Sequence, residues 1–151
     1  MLELYFYFIH RFDDNTPIAE TVRALDDLVK QGKILYPAAS NFAAWQIAKA
    51  LGIAEKESLS RFECIQPMYS LVKRQAEVEI LPLAEAENLG VIPYSPLGAG
   101  MLTGKYGPTH KPESGRLIDN QIYKIRYSAE WMYDTADDFT NFAHQHGFDP
   151  I

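Results

Sequence analysis

Residues 2–39 read LELYFYFIHRFDDNTPIAETVRALDDLVKQGKILYPAA and contain an apolar run, a helical pattern and a second apolar run. The apolar runs, residues 2–9 and 34–39, have the composition of buried β-strands. Between them, Thr16-Pro17 supplies a helix cap and a proline at the first helical position, and Gly32 ends the helix. Four apolar residues at helical spacing are predicted to share one face: Ile18, Val22, Leu25 and Val29. This order predicts strand, crossover helix and strand, which is the repeating unit of a parallel sheet.

Two further apolar runs, residues 62–65 and 90–94, follow at a similar spacing. Successive runs start 28 to 32 residues apart. A strand, a helix and two loops need about 30 residues, and a (β/α)₈ barrel of about 250 residues divides into eight units of that size. The spacing therefore predicts an α/β chain that forms part of a TIM barrel, with about four parallel strands and intervening helices in one incomplete segment, residues 1–151.

The remaining patterns predict three further helices and one long loop. Asn41 caps the second helix, which Gly52 ends, with Ala44, Ala48 and Leu51 facing inward. Trp45, Ile47 and Leu51 are interpreted as packing residues. Proline is tolerated only in a first turn, so Pro82 places the start of the third helix near residue 81, after a turn at 75–80. A glycine- and proline-rich loop begins at residue 97, and a final helix covers about residues 128–146.

Composition excludes several classes of function. The 14 Lys and Arg residues face 20 Asp and Glu residues, for a net charge of −6, and no basic cluster offers a footprint for nucleic acid. No apolar run reaches the ~18 residues that span a membrane. The single cysteine, Cys64, cannot form an internal disulfide, and no metal-ligand pattern is present. We expect a cytoplasmic protein without nucleic-acid or membrane partners.

Polar residues follow each of the four apolar runs: His10, Ser40-Asn41, Gln66 and Tyr94-Ser95. In a parallel βα array these strand ends face the same way, and ligands bind outside them. Ser40-Asn41 alone is better interpreted as a helix cap than as a ligand contact. The four ends together predict a binding site.

Five segments carry a more specific pattern, in order along the chain: LYFYFIHR at 4–11, ETVRALDDLVKQG at 20–32, SNF at 40–42, QPMYS at 66–70 and IPYSPLGAGMLTGKY at 92–106. Each fragment is weak alone, but the ordered set resembles the central part of the aldo-keto reductases, over residues 3 to about 116. The resemblance implies a (β/α)₈ barrel in which the four apolar runs are strands four to seven. It also implies NADPH-dependent reduction of a small aldehyde or ketone to an alcohol. The first segment holds about two more residues than the family's strand, which leaves its register open.

The resemblance also implies roles for the residues at the strand ends. His10 matches the catalytic histidine that hydrogen-bonds the substrate carbonyl; the alternative is a buried structural histidine. Ser40, Asn41 and Gln66 match residues that hold the nicotinamide carboxamide, and Tyr94 matches the aromatic on which the ring stacks.

A glycine-rich loop matches the family's segment over the cofactor pyrophosphate, where glycines let backbone N–H groups approach phosphate oxygens. Two cations further along are candidates for phosphate contact, although a solvated surface role for Arg116 is nearly as well supported. The residues implied to bind this part of NADP(H) are Ser95, Pro96, Leu97, Gly98, Gly100, Lys105 and Arg116.

The sequence departs from the family in what it lacks. Of the family's catalytic Asp, Tyr, Lys and His, only His10 has a counterpart, so we expect the 151-residue chain to be inactive alone. A truncated cofactor-binding or protein-interaction module is the alternative function. Half a barrel leaves two strand edges unpaired, so self-association or a complementary fragment is expected to cover them.

Overall fold

A four-stranded parallel sheet with intervening helices is the centre of the fold. The structure, a computed structural model, describes residues 4–151. The strands are β1 (Leu4–Ile9), β2 (Ile34–Ser40), β3 (Cys64–Gln66) and β4 (Gly90–Val91), adjacent in that order. The helices are α1 (Ile18–Lys30), α2 (Ala44–Glu57), α3 (Ile80–Ala86), α4 (Arg116–Asp119), α5 (Gln121–Arg126) and α6 (Glu130–Gln145). This alternation confirms the predicted α/β fold, consistent with part of a TIM barrel.

The strands lie within one to three residues of their predicted bounds. The predicted positions 2 and 3 of the first run lie outside the described residues. β3 begins at Cys64 rather than at residue 62, and β4 ends at Val91 rather than at residue 94. Pro93 has no N–H to donate, so regular pairing stops before it. A single parallel bridge then pairs Tyr94 with Met68.

Register divides the sheet into two faces. Ser40 pairs with Gln66, so these two side chains share one face, whereas the paired Ala39 and Ile65 lie on the other. Ala39 and Ile65 belong to the core that packs against the helices. Ser40 and Gln66 therefore lie on the face away from the helices.

The first helix follows its predicted amphipathic pattern, but its predicted cap is wrong. Ile18, Val22 and Leu25 are buried, as expected for one face of α1, whereas Val29, the fourth residue predicted on that face, is half-buried. Pro17 occupies the N-cap position and no side chain caps the helix. The hydroxyl of Thr16 instead donates to the Asp13 carboxylate.

Four predictions about the second helix are wrong. Asn41 does not cap it; α2 begins after Ala43, whose N–H donates to the Gln46 side chain at 2.8 Å. The helix continues through Gly52, because a mid-helix glycine costs only about 1 kcal/mol and Ala54 beyond it is buried. The inward residues are Ile47, Ala50, Leu51 and Ala54, whereas Ala48 is exposed and Trp45 is 60% exposed.

The later part of the chain has more helix than the sequence pattern predicts. A 3₁₀ turn (Gln75–Glu77) precedes α3, as expected from Pro82, and α6 matches the predicted final helix within two residues. The short α4 and α5 replace part of the expected long loop. None of the helices among residues 4–151 is both long enough and apolar enough to cross a membrane.

Two compact units make up the described chain. Unit 1 comprises residues 4–68 and 75–94, with a core between the sheet and α1 to α3. Unit 2 comprises residues 69–74 and 95–151, with a separate core around Met101, Leu117 and Tyr127. The interpretation of residues 1–151 as one incomplete barrel segment stays a prediction.

A buried carboxylate in unit 1 leads us to predict that stability depends on pH in acid. Asp26 is 3% exposed; its carboxylate pairs with Lys30 and accepts the N–H of Ser60 at 2.9 Å. The Lys30 ammonium, and then the Ser60 N–H, lower the pKa of Asp26 below its ordinary 3.8. A pKa that is lower in the folded than in the unfolded state means that the ionised carboxylate stabilises the fold. This stabilisation is fully present above the pKa of the unfolded carboxyl group. It is lost as the pH falls below about 4 through the lowered folded pKa.

Chemical unfolding of the wild type and of Asp26→Asn between pH 3 and pH 7 checks this expectation. Other carboxylates also protonate in this range, so the informative quantity is the difference in unfolding free energy between the two proteins. That difference should be largest at neutral pH and shrink in acid. Asp27→Asn, at the neighbouring and exposed position, is the matched control. A pH-independent difference would contradict the role given to the Asp26 carboxylate.

Candidate functional site

The carboxyl ends of the strands in unit 1 are joined by side-chain hydrogen bonds, which we call the strand-end junction. The Tyr94 hydroxyl donates to Asn41 Oδ1 at 2.8 Å. Asn41 Nδ2 donates to the His10 carbonyl at 2.8 Å and to Ser40 Oγ at 3.0 Å. Ser40 Oγ donates in turn to the Gln66 carbonyl at 2.9 Å. Five of the six residues predicted at the strand ends therefore form one connected group, and the sixth, Ser95, belongs to unit 2.

Asn41 is the centre of this junction. Its backbone lies in the left-handed region, with φ at +55°, which asparagine tolerates better than most residues. Both hydrogens of its amide are committed, one to His10 and one to Ser40. Its carbonyl oxygen accepts from Tyr94 and keeps a second lone pair. The residue expected to be a helix cap instead connects three strand ends.

Gln66 differs from Asn41 because its side chain has no hydrogen-bond partner in the described part of the chain. Its backbone carbonyl accepts from Ser40, but no hydrogen bond of the side-chain amide is found within residues 4–151. The residue is half-buried at the end of β3. An unpaired amide there offers one acceptor and two donor hydrogens to a ligand.

His10 presents its ring to solvent. The residue is exposed in the described part of the chain. Only its backbone carbonyl is engaged, by Asn41. The imidazole makes no hydrogen bond with any residue in the described part of the chain, so both ring nitrogens are available to a ligand.

A cavity of about 270 Å³ in unit 1 borders the junction. Its apolar wall includes Ala39, Ile47 and Ile65 from the core, and the lining residues also include Asn41, Gln66, Gln75 and Tyr94. Sequence analysis missed Gln75, Met68 and Pro67 as lining residues. The motif QPMYS contains two of these residues, whereas nothing in the sequence singles out Gln75.

The glycine-rich loop belongs to unit 2 and turns through several residues with positive φ. Ser95 and Gly98 have φ values of +57° and +59°, and Gly100 has +98°. A Cβ on Gly98 would lie 3.1 Å from Val72 Cγ2. The Gly98 N–H donates to the Ser95 carbonyl at 2.9 Å, and the Gly100 N–H to the Leu97 carbonyl at 3.0 Å. These two N–H groups are therefore used within the turn.

The two predicted phosphate-contact cations also lie in unit 2. Lys105 is exposed, and its ammonium makes no ion pair with any residue that the structure describes. The guanidinium carbon of Arg116 lies 5.3 Å from the centre of the Tyr123 ring. Within residues 4–151 there is also no group of three or more His, Cys, Asp and Glu side chains able to hold a metal ion.

Comparison with known proteins gives a consistent result over nearly the whole chain. The profile of the Aldo/keto reductase family matches residues 3–151. The chain is 42% identical over 99 residues to "Uncharacterized oxidoreductase YrpG" of Bacillus subtilis (strain 168), covering 66% of this chain and 30% of that protein. It is 34% identical over 146 residues to "Protein tas" of Escherichia coli (strain K12), covering 93% and 41%. It is 31% identical over 134 residues to human "Aldo-keto reductase family 7 member A3", covering 85% and 40%.

These matches extend beyond the five segments that carry the sequence resemblance. The chain spans less than half the length of each of these three relatives. The family match nevertheless covers the strand-end residues, the glycine-rich loop and the final helix alike. The chain belongs to the aldo/keto reductase family.

Proposed function

We propose that this chain is the part of an NADPH-dependent carbonyl reductase that holds the nicotinamide and polarises the substrate carbonyl. The observation that carries this proposal is the strand-end junction. It ties Tyr94, Asn41, Ser40 and the His10 backbone together, but leaves the Gln66 amide and the His10 imidazole unpaired. Unpaired polar groups on a rigid edge of a parallel sheet are available to bind a ligand.

The donor set fits a carboxamide such as that of nicotinamide. A carboxamide has one acceptor oxygen and an NH₂ group with two donors. The Gln66 amide can donate to the oxygen, and the second lone pair of Asn41 Oδ1 can accept from the NH₂ group. Ser40 then acts indirectly, since its hydroxyl orients Asn41 and its residue is buried. Tyr94 contributes a ring that its hydrogen bond to Asn41 holds in place.

The reaction class is hydride transfer to a carbonyl carbon. The reduced nicotinamide, when bound, supplies the hydride. His10 donates a hydrogen bond to the substrate oxygen, which stabilises the negative charge that develops there. Anchoring of the His10 carbonyl by Asn41 positions the backbone that carries the imidazole. The proton that the alkoxide oxygen must take up to become the alcohol has no identified donor in this chain, so we propose that residues 1–151 alone do not turn over substrate.

Calorimetric titration of the purified chain with NADPH tests the proposal, with circular dichroism as the check on folding. We expect saturable binding by the wild type. Gln66→Ala removes the unpaired side-chain amide and should weaken binding about two- to tenfold, since an amide hydrogen bond contributes about 0.5–1.5 kcal/mol. Gln31→Ala, an exposed glutamine after α1, is the matched control.

Two outcomes would contradict the proposal. A folded wild-type chain that fails to bind NADPH would remove the nicotinamide-holding role from these residues. Equal binding by the Gln66→Ala and Gln31→Ala variants would show that the cofactor does not use the Gln66 amide.

A further inference from the structure

The cavity of about 270 Å³ lies between the sheet and two helices of unit 1. Ala39 and Ile65, the core residues that the strands supply to its wall, are on the sheet face that packs against the helices. Ile47 of α2 and Ile80 of α3 also line it. Ser40, whose side chain is on the opposite face, does not line it. The cavity is therefore on the helix side of the sheet, behind the face that carries the Ser40 hydroxyl.

The wall of this cavity is apolar and without charge. Ala39, Ile47, Ile65 and Ala76 are each at most 2% exposed. Met68 adds a flexible thioether side chain, which can adjust to the shape of a ligand. Among the described residues, no Asp, Glu, Lys, Arg or His lines the cavity. Because a buried charge without a partner is costly, such a wall favours a neutral ligand.

The size of the cavity limits the ligand to a small molecule. Protein interiors rarely leave voids much larger than one water molecule, so 270 Å³ exceeds an ordinary packing defect. An apolar cavity of about 150 Å³ accommodates benzene, and sites for drug-sized ligands start at about 300 Å³. The cavity therefore has room for one aromatic ring with a small substituent.

One polar group at the cavity is uncommitted and belongs to no other proposed site. Gln75 is exposed at the start of the 3₁₀ turn, and no hydrogen bond of its side-chain amide is found within residues 4–151. This amide can donate to one polar atom of a ligand and accept from it. An apolar wall with a few polar groups is the usual composition of a small-molecule site.

We infer that this cavity binds a small neutral molecule that consists of one apolar ring and one polar substituent. The site goes beyond the proposed function, in which Ile47, Ala76 and Ile80 have no part. It is separate from the site proposed for NADPH, whose phosphates would have no counter-charge in this wall. Asn41 and Tyr94 belong to the cavity lining as well as to the strand-end junction, so a ligand here borders the junction from the helix side.

Methyl NMR of the 151-residue chain with isotope-labelled isoleucine tests the inference, with p-cresol as the probe. Ile47, Ile65 and Ile80 report on the cavity wall, whereas Ile34 is buried elsewhere in the core of unit 1. We expect p-cresol, at up to about millimolar concentrations, to shift the first three signals saturably and to leave that of Ile34 unchanged. Benzoate and benzylammonium also have one ring but carry a charge, so they should bind at least about tenfold more weakly.

Two variants change the cavity in different ways. Ala76→Leu fills part of its volume and should weaken p-cresol binding about tenfold or more, because the ring then has no room. Ala84→Leu is the matched control, since it makes the same change at a buried position of α3 that does not line the cavity. Ile80→Glu places a carboxylate in the half-buried part of the wall, so it should favour benzylammonium over p-cresol.

The dispersion of the isoleucine methyl signals shows whether each variant is folded, and Ile80→Glu supplies the test if Ala76→Leu is not. Absence of saturable shifts at the three wall isoleucines, or equal binding of p-cresol and benzoate, would overturn the inference. So would displacement of p-cresol by NADPH, because the cavity would then belong to the cofactor site. Since p-cresol has neither a nicotinamide nor a phosphate, its binding is expected even if the chain fails to bind NADPH.

Discussion

Replacing Phe62 with alanine is expected to lower the free energy of unfolding by about 3–5 kcal/mol, the cost of removing a large aromatic side chain from a packed core. Phe62 is buried in the core of unit 1, and its ring meets that of Phe42 edge-on, with 5.7 Å between the ring centres. The substitution leaves a cavity and removes the aromatic pair. Urea unfolding followed by circular dichroism measures the loss, which is large against the 5–15 kcal/mol typical of a whole domain.

Trp45→Ala is the matched control for this prediction. Trp45 is also aromatic and touches Phe12, with 6.2 Å between ring centres, but it is 60% exposed. Its removal should cost about 1 kcal/mol or less. If the two variants lost comparable free energies of unfolding, the conclusion that Phe62 belongs to the core and Trp45 does not would be wrong.

Replacing Asn41 with alanine is expected to destabilise the protein by about 2–3 kcal/mol. The change removes three side-chain hydrogen bonds, to the His10 carbonyl, to Ser40 Oγ and from the Tyr94 hydroxyl. It also places alanine at a φ of +55°, where a Cβ is strained. Chemical unfolding gives the total loss, and NADPH titration of the folded fraction reports the effect on the site.

Two further variants separate the causes of that loss. Asn41→Gly removes the same hydrogen bonds without the backbone strain, so it should be about 1 kcal/mol more stable than Asn41→Ala. Tyr94→Phe removes one hydrogen bond and should cost about 0.5–1.5 kcal/mol. If Asn41→Ala proved as stable as the wild type, the junction would have no part in holding the strand ends together.

The fold was predictable from sequence wherever burial decides structure. The apolar runs became the four strands, and the apolar face of α1, with Ile18, Val22 and Leu25, is buried as its spacing predicts. Local end signals were less informative. Gly52 does not end α2, and Thr16 does not cap α1. Such signals are worth about 1 kcal/mol, so tertiary packing or a competing hydrogen bond readily overrides them.

The sequence predicts which polar residues lie at the strand ends, but not which hydrogen bonds join them. Parallel strand ends meet at one edge, which is sufficient to place Ser40, Asn41, Gln66 and Tyr94 near one another. The partners of Asn41 lie 31 and 53 residues away in sequence, so no local pattern reveals which polar group binds which. The distinction between the engaged Asn41 amide and the unpaired Gln66 amide is therefore visible only in the three-dimensional structure. The assignment of these residues to a cofactor stays a prediction.

The strand-end junction also bears on how the sheet assembles. β1 is an edge strand whose exposed Leu4, Tyr5 and Phe6 do little to distinguish one alignment with β2 from another. Sliding β1 by one residue would turn its two faces over and move the His10 carbonyl away from Asn41 Nδ2. In the structure, the hydrogen bond between them accompanies the pairing of Ile9 with Ala39. The same asparagine that organises the site thus acts as a check on strand alignment, and misaligned chains lack a completed junction.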